Sequence, residues 1–247
     1  MLSKARIKFI KSLQLKKYRK QEQCFVVEGG KSVQEVLQSD FNVMTLVATQ
    51  EFIDTNRALV SRFRGEVIVA SADQLKTLGD FSTNDSALAV VRMKEAKTPD
   101  VKPDSFCLVL DDIRDPGNLG TIIRIADWYG IKNIIASPGT ADGYNSKVIA
   151  SSMGSFTRVN IYYTGLVDYL KQVNVPVIGA FLTGENIHQV NDIRGGLLVI
   201  GNEANGISKE VETLVSRRVT IPRMGKAESL NAAVATAIVC DNLIRHR

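Results

Sequence analysis

The amino-acid sequence predicts an α/β protein in two parts, a small α/β/α unit followed by a larger domain built on a parallel sheet. Three observations carry this. Strand-like and helix-like patterns alternate along the chain. The strand-like runs of the second half are continuous in Val, Ile and Leu, which suits parallel strands buried on both faces. A charged, apolar-poor stretch, "KEAKTPDVKPDS" at 94–105, interrupts the alternation. Pro99 and Pro103 fix φ there and disfavour helix in the residues before them, so the stretch reads as a linker. The expected organisation is a first domain over 1–94, a linker over 95–104 and a second domain over 105–247.

In the first part, Ile7, Ile10 and Leu13 or Leu15 recur near helical spacing over residues 3–20, with Ser3 as N-cap. "CFVVEG" (24–29) is a short strand closed by glycine, and "KSVQEVLQS" is helical. Strands follow at "VMTLVAT" (43–49), "EVIVAS" (66–71) and "ALAVVRM" (87–93), separated by the helical patterns "EFIDTNRALVSRF" and "ADQLKTLGDF". In the second part, strands are predicted at "FCLVLDD" (106–112), "KNIIAS" (132–137), "RVNIYYT" (158–164), "VPVIGAF" (175–181), "LLVIGNE" (197–203) and "RVTIP" (218–222). The final "SLNAAVATAIVCDNLIRHR" is a helix, apolar almost all round from Leu230 to Cys240, which calls for burial in the domain or against a partner chain.

Composition narrows the class. A hydrophobic fraction of 45% and a charged fraction of 23% are those of an ordinary globular chain. There is no apolar run long enough to span a bilayer and no secretion signal in "MLSKARIKFI", so a cytoplasmic protein is expected. Cys24, Cys107 and Cys240 are scattered, against a disulfide framework or a zinc site, and read as small buried hydrophobes. His188 and His246 stand in no metal-ligand or triad spacing, so no metal is expected and both read as surface or hydrogen-bonded residues. Net charge is +5, and its distribution matters more: Lys4, Arg6, Lys8, Lys11, Lys16, Lys17, Arg19 and Lys20 crowd the first twenty residues without an acid. Such a block suits a phosphate-bearing polyanion. A solvated helix face accounts for it equally well, and a membrane-surface helix less well, because Ile7, Ile10 and Leu13 form a core-like stripe.

Ligands of open parallel sheets bind beyond the carboxyl ends of the strands, and three predicted strand ends carry unusual sequence. In "DDIRDPGNLGTIIRIADWYG", Gly120 and Arg124 share a helix face, so the arginine can lie over the glycine toward the helix mouth near Asn118, where backbone N–H groups favour anions. A fork-shaped cation at such a mouth suits phosphate. A structural ion pair from Arg124 to Asp127 or Asp111 fits the same spacing. In "LVIGNEANGIS", Gly201 and Gly206 enclose Asn202, Glu203, Ala204 and Asn205, which suits either a loop pressed close to a ligand or a plain turn. It is neither a Walker A loop nor a GxGxxG fingerprint. In "IPRMGKAESLN", Gly225 lies in a loop, Ser229 is a candidate cap for the last helix, and Asn231 falls in its first turn.

Together the three stretches resemble the SpoU/TrmH family of the SPOUT class, the RNA ribose 2′-O-methyltransferases. NxGxxxR is met by Asn118, Gly120 and Arg124, GxExxG by Gly201, Glu203 and Gly206, and IPxxGxxxSLN by Ile221, Pro222, Gly225, Ser229, Leu230 and Asn231. Arg223 stands where the third motif often has Met, and Ala232 where Val is common. Residues 1–93 look like the substrate-binding domain that often precedes the catalytic one. The resemblance implies a parallel-sheet SPOUT domain with a deep C-terminal trefoil knot, a topology otherwise very rare. It implies S-adenosyl-L-methionine as cofactor, contacted by Gly201, Gly206, Ile221, Gly225 and Leu230, with Ala180 to Gly184 as a further wall. It implies a homodimer with the last helix in the interface. It implies structured RNA as substrate, ribosomal in preference to transfer RNA. Methyl transfer to a 2′-hydroxyl is an in-line displacement that needs orientation and help with a proton. The resemblance gives Arg124 the ribose and its 3′ phosphate, with Asn118, Glu203, Ser229 and Asn231 orienting the site. A guanidinium stays protonated in water near neutral pH and is a positioning group rather than a base. An RNA-binding protein that has lost methyl transfer, and a base methyltransferase, are the competing readings.

Overall fold

Residues 2–245 are described by a computed structural model, so His246 lies outside the described residues. Contacts divide the chain into two units, residues through Glu95 with Asp142–Thr157, and Ala96–Ala141 with Arg158 onward.

The first unit begins with α1 (Lys4–Ser12) and α2 (Lys16–Glu22). Ser3 caps α1 as predicted, its side chain accepting the Arg6 N–H. The single helical pattern of 3–20 becomes two helices because Leu13 and Leu15 turn the chain between them. β1 (Cys24–Glu28), α3 (Gly30–Gln38), β2 (Val43–Ala48), α4 (Gln50–Thr55), α5 (Arg57–Val60), β3 (Glu66–Val69), α6 (Ala72–Leu78) and β4 (Ala87–Arg92) follow. Every predicted strand of this part is present. They form one sheet ordered β1-β4-β2-β3, in which β4 runs antiparallel to both neighbours and only β2 and β3 are parallel. The sheet is buried on both sides along β1, which supplies Cys24 and Val26 to one core with Ile10, Leu13 and Leu75.

The second unit holds β5 (Phe106–Asp111), α7 (Pro116–Trp128) and β6 (Asn133–Ala136). Next in the chain comes α8 (Ser146–Ser152), which belongs to the first unit. The second unit resumes with β7 (Asn160–Tyr163), α9 (Leu166–Leu170), β8 (Val177–Asn186), β9 (Gly196–Gly201), α10 (Lys209–Glu212), β10 (Arg217–Thr220) and α11 (Ala232–Ile244). All six predicted strands pair in parallel, in the order β10-β8-β9-β5-β6-β7. The central β5 and β9 are buried almost throughout, as their unbroken apolar runs require.

The contacts of 142–157 differ from the single boundary read from the sequence. Tyr144 and Phe156 join Phe25 and Phe41 in an aromatic cluster, with Phe25 and Tyr144 ring centres 4.5 Å apart. Arg19 reaches Asp142 at 2.7 Å. Aromatic burial and a nearly enclosed ion pair hold this segment in the first unit although strands of the second precede and follow it.

α11 buries Ala232, Ala233, Thr236, Val239, Cys240 and Leu243, packs on α7 and β9, and leaves Val234 47% exposed. Its apolar girth therefore exceeds what its own unit covers.

Candidate active site

Strand register brings the first two motifs side by side. Asp111, the last residue of β5, pairs with Gly201, the last of β9, so residues 112–124 and 202–208 leave adjacent strand ends. The two loops are tied at the root. The Asp111 carboxylate accepts both the backbone N–H and the hydroxyl of Ser208 at 2.7 Å. Asp112 takes a left-handed φ of 63°, and its carbonyl accepts Asn202 Nδ2 at 2.8 Å. Asn202 also accepts the Ala204 and Asn205 N–H groups and bridges to Gly206, whose φ is 68°. A Cβ on Gly201 would come within 2.2 Å of the Gly206 carbonyl carbon, so this strand end needs glycine for the close return of its own loop.

α7 starts earlier than its glycines suggest. Asp115 is the N-cap, its carboxylate accepting the Asn118 N–H at 2.8 Å, and Pro116 opens the helix. The helix mouth expected as an anion pocket is thus answered by the chain's own carboxylate. The Asp-Pro pair is the signal that could have placed this start. Arg124 is exposed and, among the described residues, its guanidinium has no hydrogen-bond or ion-pair partner. Both acids considered for it are taken, Asp127 by Arg158 at 2.9 Å and Asp111 by Ser208. A structural ion pair therefore does not explain this arginine.

The three motifs meet at one side chain. Asn118 donates from Nδ2 to Glu203, and its Oδ1 accepts Asn231 Nδ2 at 2.8 Å. Asn231 is the N-cap of α11, its own Oδ1 accepting the Ala233 and Val234 N–H groups at 3.0 and 3.3 Å. This corrects the expected cap: Ser229 is exposed, makes no hydrogen bond among the described residues and does not cap α11. Asn231 displaces it because one amide both closes the helix and reaches Asn118.

The loop between β10 and α11 holds Ile221, Gly225 and Leu230, half-buried, exposed and 45% exposed respectively. Among the described residues, no backbone-to-backbone hydrogen bond involves residues 221–230. Met224 is 98% exposed and Leu182 73%. Leu182 lies in Ala180–Gly184, the stretch where β8 slips register: Arg218 pairs with Gly179 but Val219 with Glu185. Arg218 stacks on Phe181, its guanidinium carbon 3.8 Å from the ring centre, and pairs with Glu212. The strand stretch and the loop thus present exposed apolar side chains, and the loop adds uncommitted peptide groups, a lining that suits a ligand with both an apolar body and hydrogen-bonding edges.

The amino-terminal basic residues divide. Lys4, Lys8, Lys11, Lys16, Lys17 and Lys20 are exposed. Arg6 pairs with Glu66 at 2.6 Å. Arg19 does not belong with them: it is 3% exposed, donates to the Leu13 and Gln14 carbonyls and to Asp142, and works as a structural clasp unable to meet a polyanion. His188 is exposed, with Nδ1 3.0 Å from Asn242 Oδ1. Among the described residues there is no acidic, His or Cys cluster fit to hold a metal, and no helix long and apolar enough to cross a membrane.

Comparison with known proteins shows what the chain is similar to. Residues 105–241 match the SpoU rRNA Methylase family, and residues 4–89 match the MRM3-like substrate binding domain. The chain is 31% identical over 243 residues to the 23S rRNA (guanosine(2553)-2′-O)-methyltransferase RlmP of Bacillus subtilis, covering 96% of this chain and 95% of that one. Among solved structures, a TrmH-family protein from Porphyromonas gingivalis superposes with a TM-score of 0.90 at 38% identity over all of both chains. The SpoU methyltransferase AviRb from Streptomyces viridochromogenes, solved in complex with AdoMet, superposes with a TM-score of 0.89 at 28% identity, covering 99% of this chain and 98% of that one.

Proposed function

The chain belongs to the SpoU rRNA methylase family, an RNA methyltransferase family, and from that premise we propose that it transfers a methyl group from S-adenosyl-L-methionine to a ribose 2′-hydroxyl of ribosomal RNA. The observation that carries the reading is the hydrogen-bonded series Glu203, Asn118, Asn231, one residue from each of three motifs far apart in sequence. When bound, S-adenosylmethionine supplies an electrophilic methyl on a sulfonium. Its apolar and hydrogen-bonding parts fit the exposed apolar side chains of Leu230 and Leu182 and the uncommitted peptide groups of 221–230. Gly201, Gly206, Ile221, Gly225 and Leu230 form the cofactor side.

Arg124 is the RNA side. A free guanidinium grips the phosphate 3′ of the target ribose in bidentate fashion and sets the hydroxyl in line. Asn118, its amide plane set by Glu203 and Asn231, holds the nucleotide's position. Ser229, free of any capping duty, is available to the substrate or cofactor. The exposed lysines of α1 and α2 gather RNA, residues 1–94 act as the binding domain with 142–157 folded into it, 95–104 is the connection, and 105–247 does the chemistry. The catalytic domain is threaded as a trefoil knot, the protein works in the cytoplasm, and it does so as a homodimer through α11, whose exposed Val234 a partner would cover.

The test is direct. The full chain is incubated with S-adenosylmethionine and unmodified ribosomal or transfer RNA, and 2′-O-methyl positions are mapped. One new 2′-O-methyl in ribosomal RNA is expected. No methyl transfer, or methylation of a base, overturns the reading.

A further inference from the structure

The first unit holds an open groove of about 710 Å³. It lies between the end of α3, the start of β2 and the turn after α5. Its lining includes Gln38, Phe41, Asn42, Arg62, Phe63 and Arg64, and no carboxylate. Among the described residues, the guanidinium groups of Arg62 and Arg64 have no ion-pair or hydrogen-bond partner, and both residues are exposed.

The two rings differ. Phe41 is already engaged: the Lys94 ammonium stands 4.0 Å from its centre, and Phe25 and Phe156 pack against it. Phe63 is half-buried and has no ring or cation partner among the described residues. It lies back against Gly65, where a Cβ would come within 2.4 Å of its Cζ. The chain thus keeps a flat aromatic surface in a groove with two free guanidinium groups and two amides, on a chain of net charge +5.

We propose that this groove takes a single-stranded segment of the substrate RNA, one unpaired base stacking on Phe63, Gln38 or Asn42 reading its edge, and Arg62 and Arg64 holding the flanking phosphates. Unpaired bases splayed onto aromatic rings, with arginines on the backbone, are the usual means of recognising RNA outside duplexes. The purely apolar occupant that an empty groove otherwise invites does not explain why both its cations go unanswered. The inference rests on the RNA reading above and adds where, and in what form, the RNA is held.

The experiment measures binding of the full chain, Phe63→Leu and Arg62→Ala/Arg64→Ala to a fluorescein-labelled mixed-sequence oligoribonucleotide, single-stranded or annealed to its complement, over a salt series. The arginines are exposed, so their variant folds even if the leucine does not. Phe63→Leu is expected to weaken single-strand binding about fivefold or more and to spare the duplex. The double alanine variant is expected to weaken single-strand binding and to reduce the slope of log K against log salt by about 1.4. Unchanged single-strand affinity and slope, or equal losses on strand and duplex, overturns the groove assignment. Failure of the enzymatic reading shows separately, as absence of methylated product from the unaltered chain.

Discussion

Asn231 donates to Asn118 Oδ1 at 2.8 Å, so the cap of the last helix also sets an amide on the first turn of a helix that begins more than a hundred residues earlier. The two duties of Asn231 use different atoms. Its oxygen caps α11 and its nitrogen reaches Asn118.

Asn231→Asp keeps the capping oxygen and removes the donor. Thermal unfolding should stay near that of the unaltered chain, while methyl transfer falls about a hundredfold, because the Asn118 amide loses its fixed orientation beside Glu203. Asn231→Ala should lose about 1 kcal/mol of stability as well. Calorimetry and a methyl-transfer assay on the two variants separate the duties; equal activity of the Asp variant and the unaltered chain would show that the Asn118 contact is structural only.

Arg124→Ala removes a cation that the fold does not use. Melting temperature and S-adenosylmethionine affinity should hold, and methylation should vanish. Arg124→Lys should recover little, because an ammonium cannot make the bidentate contact. A normal rate for the Ala variant would remove Arg124 from the site.

Burial pushes the Glu28 carboxyl above its ordinary value of 4.5, against the opposing effect of the Asp80 and Phe81 N–H groups that it accepts. A group whose folded value is raised stabilises the fold at pH below its unfolded value, and that contribution is lost as pH rises through the folded one. Glu28→Gln, which stays neutral, should therefore gain on the unaltered chain in melting temperature as pH rises from 4.5 to 7. Parallel melting curves over that range would mean that the Glu28 carboxyl titrates alike in the folded and unfolded chain, against the raised value.

Cys24, Cys107 and Cys240 are all buried, and burial pushes the Cys107 and Cys240 thiols up to about 11 and about 12. Since the thiolate is the reactive form, Ellman's reagent at pH 8 should find no fast thiol in the native chain and three after denaturation. A thiol that reacts at once in the native chain would contradict that burial.

What could be read from the sequence follows from how information is written in it. The six strands of the second unit are legible because Val, Ile and Leu runs such as 106–111 are stable only as strands buried on both faces. β8 outruns its apolar stretch because "LTGEN" continues in pairing with β10 after a slip that no hydropathy pattern records. Arg19 looks like its neighbours in any count of charge, and only the fold reveals that two carbonyls and Asp142 enclose it. Ser229 and Asn231 are both good caps two residues apart, and the choice is made by Asn118, a residue no local rule consults. Arg124 was open between an ion pair and a substrate contact; the prior commitments of Asp111 and Asp127 leave it unspent.

The chain crosses between the two units after Glu95, after Ala141 and after Thr157. Synthesis runs from one end, at about 5–20 residues per second. While the first β-sheet already exists as polypeptide, Tyr144 and Phe156, which close over Phe25, are still to be made. For several seconds the nascent protein carries an uncovered aromatic face. β5 and β6 are made during that wait, so the second sheet has begun before the first is covered.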